Sequence, residues 1–264
     1  MKLNHLRQCR KSGIRWRRTE PMRNIFSIAR KEFKSLFISP VAYAVSLAIF
    51  LIMGILFYAN VLGAAYQQIA PSIQVVIGPL ATILLFTTPA ITMRTLADEQ
   101  KSGTLEILLT APVRDWEVVI GKWLGTLAFV TLVLLITWVY PIILNQIVDP
   151  GIDQGSLVSG YLGLFLMVAS FLAIGVSVSS LFSNQIAAFF ATLGILLALW
   201  MIGYPAQIMG SMGGEVLRYI DLSEHFYPTF YRGILELKDV VYYLSVTSLA
   251  LLLGSISVET RRWR

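Results

Sequence analysis

The sequence predicts an all-α integral membrane protein with six transmembrane helices, an N-terminal amphipathic helix at the interface and a short helix in a charged loop between the second and third spans. Three observations support this reading. The 264 residues are 56% hydrophobic and 14% charged, with a mean hydropathy of +0.70, whereas soluble domains carry about 25% charged residues. Charge is also segregated. No Asp, Glu, Lys, Arg or His lies between Lys34 and Arg94, Lys122 and Asp149, Asp153 and Glu215, or Asp239 and Glu259. A helix crosses the hydrocarbon core with about 20 apolar residues, so the first and third gaps hold two spans each and the other two hold one each. Finally, 18 of the 21 Lys and Arg fall on one side of the resulting arrangement, the bias that marks cytoplasmic segments.

Residues 1–21 are basic without an apolar run (Arg7, Arg10, Lys11, Arg15, Arg17, Arg18) and are expected to be a disordered extension. The first apolar run, from Val41, is too long for a signal peptide, and Arg17-Arg18 lacks the apolar stretch that follows a twin-arginine signal. Over 22–38, Met22, Ile25, Phe26, Ala29, Phe33, Leu36 and Phe37 recur at helical spacing opposite Arg23, Arg30, Lys31 and Lys34, the pattern of a helix lying in the membrane interface. Ser39-Pro40 turns the chain into the membrane. Spans follow over residues 41–63, 73–93, 119–144, 157–181, 186–208 and 240–258, within one membrane domain covering 22–264. Two connections are long: a charged loop, 94–118, and a polar and aromatic segment, 209–239. The charge bias places both termini and 94–118 on the cytoplasmic side of a bacterial inner membrane, with 209–239 facing outward. Gly121, Gly125 and Ala128 form a small-residue stripe suited to close packing within the chain, with a subunit contact as the alternative.

The chain has no HExxH, GxSxG or GxxxxGK[ST] sequence, and its spans contain no paired carboxylates. Enzymatic chemistry is therefore not expected, nor is coupling to a proton or sodium gradient through intramembrane acids. Uphill movement would draw energy from another polypeptide. Cys9 is the single cysteine, which excludes an internal disulfide. The net charge of +6 follows from the basic N-terminus and does not describe a nucleic-acid surface. Asp221, Glu224 and His225 lack the further His or Cys that a metal site needs. In the outward segment, Tyr219, Phe226, Tyr227, Phe230 and Tyr231 alternate with Glu215, Arg218, Asp221 and Glu224. That mixture suits an interfacial or re-entrant element. The sharper alternative is a gate or partner contact built on Phe226, Phe230 and Arg232.

Residues 94–123 read RTLADEQKSGTLEILLTAPVRDWEVVIGKW. Gly103 breaks the chain, Thr104 caps a short helix over 104–109 and Pro112 closes it. Such a helix between charged flanks is either a solvated loop or an element that docks in a partner's groove. The spacing of Glu99, Gly103, Thr104, Glu106, Leu108 and Pro112 resembles the cytoplasmic loop of type-2 ABC transporter permeases. The interfacial helix, the loop's position and the six spans agree with that. Towards the C-terminus, His225, Phe226, Phe230, Arg232, Gly233, Asp239, Tyr242 and Arg261-Arg262-Trp263 resemble the subgroup containing gliding-motility permeases and the permease of nitrous-oxide-reductase copper-site maturation. The resemblance covers residues 22–264.

This resemblance implies two permease subunits, the same or related, above two cytoplasmic ATP-binding subunits. ATP and Mg would be bound by those partners, with no cofactor on this chain. The loop helix would be the coupling helix. Glu99 and Glu106 would make polar contacts with the ATPase or the interfacial helix. Gly103 and Pro112 would fix the chain's path, with Thr104 at the start of the helix, and Leu105, Leu108 and Leu109 would supply an apolar face. Export is the expected direction, with no catalytic residue on this chain. The alternative is a non-transporting membrane scaffold driven by an ATPase in an assembly or motility complex.

Overall fold

A computed structural model of the protein describes residues 21–101, 113–206 and 211–262. Six of its helices or helix pairs are long and apolar enough to cross a membrane: Pro40–Tyr66, Gln74–Lys101, Asp115–Ile147, Gln154–Ser179, Gln185–Pro205 and Leu237–Thr260. They match the six expected spans and mostly overrun them by a few residues, because charged residues such as Asp115 and Asp239 continue the helices beyond the apolar stretch. The elements are α1 (Pro21–Ile38), α2 (Pro40–Tyr66), α3 (Gln74–Thr92), α4 (Ala97–Lys101), α5 (Asp115–Ile136), α6 (Val139–Ile147), α7 (Gln154–Ser179), α8 (Gln185–Met201), α9 (Gly203–Ala206), α10 (Ser211–Ile220), a 3₁₀ turn (Phe230–Arg232) and α11 (Leu237–Arg262).

The fourth span, α7, is the centre of the bundle. Of its apolar window 89% is buried inside the chain, against 22% for the first span and 17% for the fifth. Small residues allow this. Gly163 lies against Phe226 and Phe230, and Gly175 against Thr92, so neighbouring elements approach the α7 backbone closely. Asp153 starts the helix by accepting from the backbone N–H groups of Gly155 and Ser156, and hydrogen bonds to the Ser156 side chain and these amides hold its carboxyl below the ordinary carboxylate range. Polar contacts along α7 then tie it to α5 and α11. The Trp123 indole donates to the Ala169 carbonyl (2.9 Å), and the Ser170 hydroxyl meets Thr247 Oγ1 and the Tyr243 carbonyl of α11 (both 3.0 Å).

Backbone groups in a lipid environment must find partners within the protein, and the break between α5 and α6 shows how this is done. Pro141 has no N–H to give to the Thr137 carbonyl. The Tyr161 hydroxyl of α7 donates to that carbonyl instead (3.2 Å). The first span attaches by a single stripe, Ala42, Ile49, Met53 and Phe57, and leaves Leu47, Leu51, Ile55 and Tyr58 exposed. The Tyr140 hydroxyl also holds it, by donating to the Phe50 carbonyl (2.9 Å).

Candidate functional site

The strongest cluster of charge lies at the end of the bundle that carries α1. There α3 ends, the chain turns into α4, and residues 113–114 lead into α5. Both stems of the intervening stretch are anchored. On entry, the backbone N–H groups of Leu96 and Ala97 donate to Ser179 Oγ (3.2 and 3.1 Å), and Gln100 Nε2 donates to the Ser180 carbonyl (2.7 Å). The C-terminus of the central helix thus caps α4 with a hydroxyl, satisfying N–H groups that a helix start leaves open. On exit, buried Glu117 accepts from the Arg114 backbone N–H (3.3 Å) and from Asn24 Nδ2 of α1 (2.9 Å).

Lys122 joins the three helices. It is 2% exposed and lies on α5. Its ammonium donates to Glu32 of α1 (3.1 Å), Glu99 of α4 (2.9 Å) and the Thr95 carbonyl (2.6 Å). Three partners use all three protons of an ammonium group. A buried ammonium is tolerable only when paired and fully hydrogen-bonded in this way. Beside it, Arg94 donates to Asp98 (3.1 Å) and to Ser39 Oγ (3.1 Å), which ties α4 to the entry of the first span.

Helix α1 reaches this junction through a close approach. A Cβ at Gly121 would lie 2.8 Å from Ile28, and one at Gly125 would lie 2.7 Å from the Ala29 carbonyl. The small-residue stripe therefore serves packing within the chain, with Ala128 left exposed. At about 100° per residue, α1 has three faces. Ile25, Ile28, Ala29, Glu32 and Leu36 turn inward; Met22, Phe26 and Phe37 form an exposed apolar face; Arg23, Arg30, Lys31 and Lys34 form an exposed basic one.

The opposite end holds a second polar cluster. His225 Nδ1 lies 2.7 Å from buried Asp239, and Nε2 lies 3.0 Å from the Tyr219 carbonyl. Its ring stacks on Tyr242 at 3.7 Å. Both ring nitrogens are thereby occupied. Asp221 accepts from the backbone N–H groups of Gly203 (3.0 Å) and Ser223 (2.7 Å), and no group of three or more His, Cys, Asp or Glu among the described residues is arranged to hold a metal. Burial pushes the Tyr227 and Tyr231 hydroxyls up. This segment folds back on α7 instead of standing free: Phe226 and Phe230 are fully buried, and the Phe230 carbonyl accepts from Ser159 (3.3 Å). Of the three residues expected at an outer contact, Arg232 is exposed and the two rings pack in the core.

Among the expected coupling residues, Glu99 is placed in the junction. Gly103, Thr104, Leu105, Glu106, Leu108, Leu109 and Pro112 lie outside the described residues, as do residues 1–20. The expected spans hold no paired carboxylates; at their ends, buried Lys122 meets half-buried Glu32 and Glu99, and His225 and Asp239 are buried together. In the sequence, Lys122 marks only the edge of a charge-free stretch, and Glu32 sits unremarked within a basic helix. The signal for Glu32 was present: it is the one acid between residues 21 and 97, and the helical repeat puts it with Ile25, Ile28, Ala29 and Leu36.

The sequence model described as ABC-2 family transporter protein matches residues 26–261. A comparison with curated proteins gave no match. The matched region runs from the interfacial helix through all six spans, and the chain belongs to the ABC-2 transporter family as a membrane-spanning permease component.

Proposed function

We propose that the chain is the membrane subunit of an ATP-driven exporter. It pairs with a second permease subunit and receives its energy from a cytoplasmic ATPase that binds ATP and Mg. The basic end faces the cytoplasm, in keeping with the 18 of 21 Lys and Arg on that side. The ATPase seats against the segment following α4, with Glu106 as a polar contact and Leu105, Leu108 and Leu109 as the apolar face.

One observation supports this reading above the others: both stems of that segment are anchored to buried parts of the bundle. Ser179 and Ser180 hold α4 to the central helix, and Lys122 joins Glu99 to Glu32. A push delivered at residues 102–112 would therefore reach α1, α5 and α7 together, because packed elements move as units.

The test is capture of the tagged chain from mildly solubilised native membranes, scored for a stoichiometric P-loop ATPase. Wild type is expected to retain the ATPase, and Glu106→Lys to lose most of it while inserting normally. Equal capture by both would refute the seat, and no ATPase with an intact wild-type chain would refute the exporter reading.

A further inference from the structure

A cavity of about 620 Å³ opens between α1, the start of α2 and the end of α3. Its position is the boundary between the apolar spans and the basic end, since Ser39-Pro40 starts the first span and Ile91 lies near the end of the second. The wall is two-natured. Leu36, Ile38, Pro40 and Ile91 make an apolar floor, and 81%-exposed Ile38 extends it to the outer surface. Lys31, Lys34 and Arg94 stand along the polar side.

The charges of this wall are unequal in a specific way. Lys122 is held between Glu32 and Glu99, and Arg94 is paired with Asp98. Lys31 and Lys34 have no ion-pair partner among the described residues. Among the described residues of the wall, four cations face three acids, an excess of one positive charge.

We propose that this cavity binds a single anionic phospholipid whose headgroup is a monoanionic phosphodiester. One negative charge neutralises the wall. The phosphate sits between Lys31 and Lys34, with Arg94 held beside it by Asp98 and Ser39. An acyl chain follows the apolar floor past Ile38 into the membrane. A volume of this size lies in the range of small-molecule sites, roughly 300–1,000 Å³. Lysines close to a membrane surface also favour anionic lipid over zwitterionic lipid. The bound lipid would brace α1 against the end of the second span, next to the Lys122 junction.

The experiment is native mass spectrometry of the purified full chain, titrated with equal amounts of phosphatidylglycerol and phosphatidylcholine. Wild type is expected to retain one phosphatidylglycerol in preference. Lys31→Gln with Lys34→Gln should lower that preference on the order of tenfold. Arg23→Gln with Arg30→Gln removes equal charge from the same exposed face outside the cavity and should leave the preference in place. Equal losses in the two double variants would show general surface attraction and overturn the site, as would a wild type without preference. Binding of glycerol phosphate as tightly as phosphatidylglycerol, with the acyl chains adding nothing, would identify a free phosphate as the occupant and overturn the lipid assignment.

Discussion

At the scale of single residues, Lys122 holds three helices together. Its ammonium is buried among Glu32, Glu99 and the Thr95 carbonyl, so removing it takes away the cation that the two carboxylates share. Lys122→Met is expected to destabilise the chain by about 3–5 kcal/mol, the usual effect of breaking a buried ion group from one side. Adding Glu32→Gln and Glu99→Gln should recover much of that loss, because the carboxylates that Lys122 paired are then neutral. Thermal unfolding of the detergent-solubilised chain measures both, and an unchanged midpoint for Lys122→Met would refute the junction. A lysine seven residues into a helix is visible in the sequence. Its partners were not, since Glu32 and Glu99 lie 90 and 23 positions away along the chain and only the packing of α1 and α4 brings them together.

At the scale of elements, α1 is more than an amphipathic helix lying on a membrane. The sequence showed its apolar and basic faces and, separately, the stripe Gly121, Gly125 and Ala128. It did not show that two of those residues receive α1, because a small-residue stripe says that something approaches closely without saying what. The contact is tight enough to test. A methyl group at Gly125 would lie 2.6 Å from Glu32 Cβ and 2.7 Å from the Ala29 carbonyl. Gly125→Ala is expected to lift α1 from α5, an overpacking effect of about 1–3 kcal/mol, and to speed amide exchange across α1. Ala128→Leu, on the same stripe but at an exposed position, should leave that exchange unchanged. Equal protection in Gly125→Ala would contradict the docking. The segment 209–239 teaches a similar lesson. Its aromatic residues suited an interfacial element, yet Phe226 and Phe230 close over Gly163 of the central helix, a pairing between residues some 60 positions apart.

At the scale of the whole molecule, the six spans were legible because gaps in charge mark membrane-length segments regardless of how the helices pack. Which span is central was not legible from hydropathy. Lipid-facing and protein-facing surfaces of such helices are both apolar, so α7 at 89% burial and the fifth span at 17% have almost the same composition of large apolar residues. The distinguishing feature is the run of Gly and Ser along α7, from Gly160 and Gly163 to Ser170, Gly175 and Ser177, where close approach and hydroxyl bonds to neighbouring carbonyls replace lipid. With α7 in the middle, its C-terminal serines reach α4, and α4 reaches Lys122. A force applied to the stretch after α4 would therefore enter the bundle at its centre and not at its edge.

The proposed engagement of an ATPase at that stretch is open to site-specific photo-cross-linking. A photoreactive amino acid is placed at Leu105 or Leu108, and for comparison at Ile234 or Leu235, both exposed at the opposite end. In native membranes the account predicts an adduct with a P-loop ATPase from 105 and 108 and none from 234 and 235. ATPase adducts from the opposite end, or from neither set in a chain that inserts and folds, would contradict it.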